Sequence, residues 1–405
     1  MSPPAPGRLD ATIVGGGIAA LWLLDALDEA GYAACLLEPG ALGQGQTLSS
    51  QGIIHGGLKY TLRGLFNQSA KAVSAMPGRW RDSLAGTRRP NLRAVTVRSP
   101  WTWMWRSESL SSQLAMLGAR AGLQTRPMEV SASERPAILA AAPGKVYRVD
   151  EPVLDTLSLV QAFRAMHGER MLATGGLDAL DICPESDGFR VAFGTGATSQ
   201  SLSTRAVILA AGAWNEPLRQ TCGLSDGVMQ RRPLHMTLLR GLLPELHGHC
   251  VDGAATRVTI TTSTAADGAT IWQVGGQLAE RGVELSGESL LQRARTELED
   301  SLGLRARGRG LDLGAVQWAT YRIDRAERAT RAAGRPEDAH VLCDGPPGLI
   351  TVWPTKLALA PRAAEAVLDA LRQAGIGASG PVTMDGIRPS IGLPPWEGIE
   401  WRSLP

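Results

Sequence analysis

The stretch SSQGIIHGGLKY, Ser49 to Tyr60, sets His55 between two isoleucines and two glycines, where packing alone gives no reason for an imidazole. An imidazole titrates near neutrality, so it can take a proton from a hydroxyl or an amine as a general base. A structural ring that hydrogen-bonds a loop carbonyl is the other reading of the residue itself. In QWATYRIDR, Arg322 offers a planar guanidinium suited to clamping a carboxylate, against an ordinary ion pair with Asp324 or Asp312. Nearer the N-terminus lies a phosphate signature. Gly15, Gly17 and Ala20 fill the three small positions of G-x-G-x-x-G/A: one for a tight turn, one for close approach to a pyrophosphate, one for helix and strand packing. Glu38 follows at the spacing from which a carboxylate accepts hydrogen bonds from a ribose diol.

These groups need elements to position them. DATIVGGGI reads as an apolar strand entering glycines, IAALWLLDALDEAG as a helix closed by Gly31, and YAACLLE as a second strand ending at Glu38. Gly16, Gly17, Ile18 and Ala19 then open a helix whose N–H groups and positive dipole end face the phosphates. The glycines do not choose between NAD and FAD, which share the adenosine diphosphate they would hold. Near the other end, TVWPTKLALAPRAAEAVLDAL reads as a strand, a Trp-Pro turn and an amphipathic helix. Thr355, Lys356 and Leu357 sit close to that helix start, where N–H groups and a lysine would stabilise negative charge on a bound group; a solvated lysine is the plainer reading of Lys356.

Three segments, in this order, carry a resemblance. PGALGQGQTLSSQGIIHGGLKYTLRGLFNQSAKAV resembles the flavin-proximal segment of FAD-dependent glycerol-3-phosphate dehydrogenases and, more distantly, of L-2-hydroxyglutarate dehydrogenases and the wider D-amino-acid oxidase superfamily. TRAVILAAGAWNEPLRQTCGL is similar to the strand of that superfamily ending in Ala-Gly-Ala-Trp, and PPGLITVWPTKLALAPRAAEAVLDAL to its final cofactor segment. The resemblance implies FAD, and a mixed α/β fold in which a Rossmann-like FAD-binding domain is interleaved with a β-sheet substrate domain. The implied boundaries are 1–95, 145–225 and 325–380 for the FAD part, 96–144 and 226–324 for the substrate part, and 381–405 as a C-terminal tail.

The resemblance also implies contacts. Pro39, Thr47, Ser49, Ser50, Gly52, Ile54 and His55 would touch the cofactor from the first segment. Leu177 would meet adenine through its backbone, while Ala211, Gly212, Ala213 and Trp214 would pass close to the cofactor. Arg322, with Lys59, would bind substrate. Thr-Tyr and Ile323 around Arg322, and Gln51 in place of a small hydroxyl residue, depart from the pattern. Dimethylglycine and sarcosine dehydrogenases join a His of a similar segment to the flavin, so covalent attachment is a third reading of His55. The implied activity is hydride removal from a small hydroxy compound, a 2-hydroxy acid or a glycerol-3-phosphate-like alcohol. Oxygen, a quinone or a carrier protein would be the acceptor. Amine or amino-acid oxidation is the alternative, and a non-catalytic FAD-binding partner protein is one of another class. Only Arg322, Lys59 and Arg63 stand as candidates to bind a phosphate.

Composition bounds these readings. A chain of 405 residues, 44% apolar and 20% charged, predicts two domains or one large interleaved body. A net charge of +2 with both signs interspersed predicts no nucleic-acid partner. No apolar run reaches the roughly 18–20 residues of a membrane span, and MSPPAPGRLD reads as a short disordered leader, not a secretion signal, so the expected location is cytoplasmic. Five scattered cysteines predict reduced thiols. HGHC, His247 to Cys250, reads as a solvated loop, and no metal is expected. Trp101, Trp103 and Trp105 fall on one face of a strand-like stretch as packing residues, and Ala266-Asp267-Gly268 predicts a hairpin turn.

Overall fold

The buried run Leu9–Val14 (β1) has the continuous apolar character of a parallel strand covered on both faces. In the computed structural model, which describes residues 7–56, 73–106, 127–253, 255–304, 311–330, 336 and 338–404, β1 lies inside an eight-stranded sheet. Its parallel neighbours are β2 (Ala34–Glu38) and β11 (Gln200–Leu209), extended by β8 (Met171–Ala173) and β18 (Leu349–Trp353) in the order β18-β11-β1-β2-β8. Strand β17 (His340–Leu342) runs antiparallel on the β18 edge, and the hairpin β9 (Leu180–Glu185) and β10 (Gly188–Phe193) pairs the first half of β11. Helices α1 (Ile18–Glu29), α2 (Thr156–His167) and α5 (Ala360–Gln373) cover one face, where Trp22, Phe163 and Val367 pack with Ile13, Leu36 and Ile208. Phe189 and Val191 of the hairpin pack on the other face with Val14, Leu37 and Leu209.

The expected leader ends sooner than residue 10. Residues 1–6 lie outside the described residues, but Leu9 and Asp10 are buried in β1. The Asp10 carboxylate accepts the N–H groups of Ala33 and Ser379, which repays its burial.

The second sheet has nine strands: β19 (Arg402–Ser403), β16 (Gln317–Arg328), β12 (Met229–Gly241), β15 (Thr270–Gly275), β14 (Ala255–Thr264), β13 (Gly248–Asp252), β4 (Thr102–Arg106), β6 (Val146–Val149) and β5 (Met128–Glu129), in that spatial order. All its pairs are antiparallel except β13 with β4. Alternation along the strands gives it two distinct faces. Trp105, Cys250, Val258, Trp272, Leu239 and Trp318 pack against Leu290, Leu291 and Leu298 of α4 (Gly287–Leu302). Met104, His249, Thr259, Gln273, Met236 and Tyr321, in register across the same strands, form the opposite face. Trp103 and Trp105 belong to the α4 side, while Trp101 falls outside β4 and meets Trp103 edge-on. The Ala266-Asp267-Gly268 turn joins β14 to β15.

A two-stranded pairing of β3 (Val97–Ser99) with β7 (Val153–Leu154) lies between the large sheets. The fold is thus α/β, with a Rossmann-like layer whose strands come from residues 9–38, 171–209 and 340–353 and a second sheet facing it. Among the described residues no helix is long and apolar enough to cross a membrane.

Candidate active site

Between the two sheets runs a cavity of about 1120 Å³. At one end Gly15 turns at φ +112°, and a Cβ there would meet Ala210 O and Ala211 Cα at 2.7 Å. A Cβ on Gly16 would meet Glu38 Oε2 at 2.6 Å, so a side chain there would displace that carboxylate, while Gly15 admits none. Gly17 caps α1 without a side-chain hydrogen bond, and Ile18 N donates to Thr47 Oγ1 at 3.0 Å. Gly15, Gly16, Gly17, Ile18 and Ala19 line the cavity; Ala20 is buried in α1 behind them. Glu38 and Pro39 line the same end. Burial pushes the Glu38 carboxyl up to about 7, against the N–H groups of Gly40 and Gly16, which favour its charged form.

Further along, Ser49, Ser50, Gly52 and His55 line the cavity, while Ile54 is wholly buried in the core. Gly52 sits at φ +72° with Leu154 O pressed where a Cβ would stand. Leu154 N donates to Gly52 O and Ile54 N to Pro152 O, both at 2.9 Å, locking this loop against β7. The lock brings His55 beside Glu151, two residues before β7. His55 Nδ1 lies 3.1 Å from Glu151 Oε2, and Gly56 N donates to Glu151 Oε1 at 2.6 Å. The Glu151 side chain is only 4% exposed and that of His55 33%.

His249 of β13 approaches from the roof, its ring centroid 5.4 Å from that of His55 and its Nδ1 2.8 Å from Thr259 Oγ1. One donor atom from each of His55, Glu151 and His249 lies within 4.8 Å of the others. HGHC is therefore not a solvated loop. His247, His249 and Cys250 are buried because pairing with β4 and β14 draws the segment into the sheet. Lys59 and Arg63 lie outside the described residues.

After β11, Ala211, Gly212, Ala213 and Trp214 line the wall; Gly212 has φ +58° and Trp214 is 56% exposed. Leu177 borders the adjacent part. Thr355, Lys356 and Leu357 line the side where a short 3-10 turn leads into α5. Thr355 is the one non-glycine residue at positive φ among the described residues, at +64°, and its hydroxyl donates to Asp338 O at 2.8 Å. A β-branched residue held there costs on the order of 1–3 kcal/mol, which the surrounding fold must sustain.

Arg322 also borders the cavity, but it leaves β16 on the face opposite Tyr321, and its guanidinium donates to Val283 O at 2.7 Å and Leu285 O at 3.1 Å. Two carbonyls hold the group without cancelling its charge. Glu151, His249, Gln51 and Gln273 were not singled out as site residues in the sequence. Gln51 Nε2 donates to Gln273 O at 2.8 Å and Thr259 O at 3.1 Å, and Gln273 Nε2 donates back to Ser49 O at 2.8 Å. The period-2 pattern of the roof strands was the available signal for His249 and Gln273.

The donor set fits a dinucleotide. The Gly15 turn has no room for a Cβ, the glycine-capped start of α1 faces the cavity, and Glu38 closes the same end. Residues 10–360 match the family described as FAD dependent oxidoreductase, the DAO family. Over 394 residues the chain is 37% identical to the probable FAD-dependent oxidoreductase PA4991 of Pseudomonas aeruginosa, covering 96% of this chain and 97% of that protein. The crystal structure of PA4991 superposes with a TM-score of 0.79 at 34% identity, covering 97% of this chain and 99% of that one. L-alpha-glycerophosphate oxidase from Mycoplasma pneumoniae, solved with FAD bound, shares the fold at 13% identity and a TM-score of 0.64, covering 96% of this chain and 100% of that one. Glycine oxidase from Geobacillus kaustophilus does so at 14% and 0.62, covering 92% and 99%. The chain belongs to the DAO family of FAD-dependent oxidoreductases, enzymes whose cofactor is FAD.

Proposed function

We propose that this enzyme oxidises a small hydroxy compound, a 2-hydroxy acid or a glycerol-3-phosphate-like alcohol, to the corresponding carbonyl. The observation that carries the reading is the 3.1 Å contact of His55 Nδ1 with a buried glutamate. An alcohol must lose its hydroxyl proton as its carbon gives up hydride, so it needs a base. A neutral amine yields an iminium without one, so a carboxylate-supported imidazole favours the alcohol. With Nδ1 on Glu151, proton transfer runs through His55 Nε2.

FAD, when bound, supplies the two-electron acceptor for the hydride. The Gly15–Gly17 turn and the start of α1 would hold its pyrophosphate, Glu38 its ribose diol, Leu177 its adenine through backbone, and Ala211–Trp214 with Thr355–Leu357 its ring. Lys356 and the N–H groups around it favour negative charge on that ring. Arg322 borders the cavity, and to draw the anionic group of the substrate its guanidinium would have to turn from Val283 O and Leu285 O. Oxygen, a quinone or a carrier protein would then take up the electrons.

The test is anaerobic bleaching of the flavin absorbance by glycerol 3-phosphate, 2-hydroxy acids, amino acids and N-methyl amines in turn. Bleaching by a hydroxy compound is expected, and His55→Gln should slow it by about 10²–10⁴-fold while flavin content stays unchanged. Bleaching by amines alone would reject the alcohol reading, and bleaching by none would favour a non-catalytic flavoprotein. Flavin that stays with the acid-precipitated protein, and is released in His55→Gln, would instead assign His55 to covalent attachment.

A further inference from the structure

Resting on the reading that His55 takes the substrate proton, we propose that Glu151 and His249 complete its base. In this unit Glu151 fixes the orientation of His55, and the two imidazoles share one positive charge.

Glu151 meets one loop with both oxygens. Oε1 accepts Gly56 N–H at 2.6 Å and Oε2 faces His55 Nδ1 at 3.1 Å. A carboxylate there keeps the proton on Nδ1 and leaves the lone pair on Nε2, the tautomer a base needs. It also stabilises the imidazolium that forms, and does so strongly because its side chain is 4% exposed. Glu151 touches no reacting atom in this scheme; it is a positioning residue.

His249 supplies the second half. Its ring stands 5.4 Å from that of His55 at an interplanar angle of 34°, and Thr259 Oγ1 holds its Nδ1 at 2.8 Å. The donor atoms of all three residues lie within 4.8 Å of one another. Two imidazolium charges so close oppose each other, whereas one is stabilised by the carboxylate beside both. The pair therefore holds a single proton and titrates as a unit.

Glu151 and His249 are titratable groups that meet His55, while Met104 of β4 and Thr259 of β14 line the same cavity. Elsewhere on the cavity wall Arg232 pairs with Glu327 and Arg325 with Glu280, and Glu38, Arg322, Asp324 and Lys356 are further charged residues.

The experiment uses the FAD-loaded protein carrying ¹⁵N-labelled histidine. There are six histidines, and the resonances of two are identified by loss in His55→Gln and His249→Gln. Imidazole titrations are followed by NMR from pH 5 to 9, beside the pH profile of anaerobic flavin reduction by the alcohol found above. Removing the carboxylate in Glu151→Gln should move both the His55 titration and the rising limb of the rate to lower pH, by about one unit or more. Removing the competing ring in His249→Gln should move both to higher pH, and Glu151→Asp should restore part of the wild-type profile.

An unmoved His55 titration in Glu151→Gln or in His249→Gln overturns the inference, even where His55→Gln abolishes reduction and so upholds the base. A His55→Gln protein that reduces its flavin at the wild-type rate overturns the base reading itself. Zinc bound one to one in the purified protein, and lost in His249→Gln, also overturns the inference, because both rings would then be committed to a metal. An unchanged flavin spectrum in Glu151→Asp checks folding.

Discussion

Glu38 ends β2 with its carboxylate directed at the turn before α1, where Gly16 leaves room for it. Burial raises its pKa to about 7 although Gly40 N donates to it at 2.6 Å, so below that pH the protein without FAD carries a neutral acid there. If a ribose diol donates to the carboxylate, binding favours the charged form and expels the proton. FAD affinity of the apoprotein should then rise from pH 5.5 to about 7 and level off above it. Glu38→Gln should bind FAD about tenfold more weakly at pH 8, the loss of roughly one charged hydrogen bond, and show no such slope. Equilibrium titration of apoprotein with FAD across this range measures both, and a wild-type slope retained in Glu38→Gln would remove Glu38 from the diol site. Stability of the apoprotein carries the opposite sign. Because the folded pKa lies above the ordinary carboxylate value, this group's contribution is full below pH 4.5 and declines as pH rises towards 7.

At the scale of elements, the floor and the roof of the cavity are joined by amides. Gln51 reaches from the floor loop to carbonyls of β14 and β15, and Gln273 returns from β15 to Ser49 O, which Tyr321 also reaches at 3.1 Å. A Cβ on Gly275 would stand 2.8 Å from Gln51 Oε1, so the closeness is built into the backbone on both sides. Gln51→Ala removes donors from the half-buried end of this link and should cost about 2 kcal/mol, read as a lower unfolding midpoint with faster loss of FAD. An unchanged midpoint would mean that the link contributes nothing.

The floor was legible in the sequence because its signals are local: β1, the glycine turn, α1 and Glu38 lie within one continuous stretch of chain. The roof was not. His249 faces the site only because β13 pairs with β4, far earlier in the chain, and with β14, and no local pattern specifies that register. Glu151 stands in an ordinary Asp-Glu-Pro, and its meaning comes from the lock between β7 and Gly52. Arg322 was legible as a residue but not as a geometry, since its parity along β16 sends the head towards Val283 and Leu285.

Across the whole molecule, residues 381–404 lie along both sheets. Leu42 N donates to Ser390 O and Gly392 N to Leu42 O, which fastens the segment beside the cofactor turn, and Ala173 N donates to Ile387 O at the β8 edge. Beyond this it crosses to the other layer. Trp396 packs with Leu238, Ile271 and Ala319 on the site side of the second sheet, Arg402 and Ser403 pair with β16, and Leu404 joins the α4 side. The segment thus holds the two walls of the cavity at their spacing, a task that composition could not reveal in a stretch rich in Pro and Gly. Met384, Trp396 and Leu404 are each under 7% exposed, and burying three such side chains contributes about 5–8 kcal/mol. That rivals the net stability of a folded domain, roughly 5–15 kcal/mol. A chain ending at residue 380 should therefore fail to accumulate as folded, flavin-bearing protein. Trp396→Ala should fold, unfold earlier by an amount matching about 3–5 kcal/mol, and release FAD more readily. Thermal unfolding followed by flavin fluorescence distinguishes these outcomes, and a truncated protein with the wild-type midpoint and flavin content would show that the sheets keep their spacing without the strap.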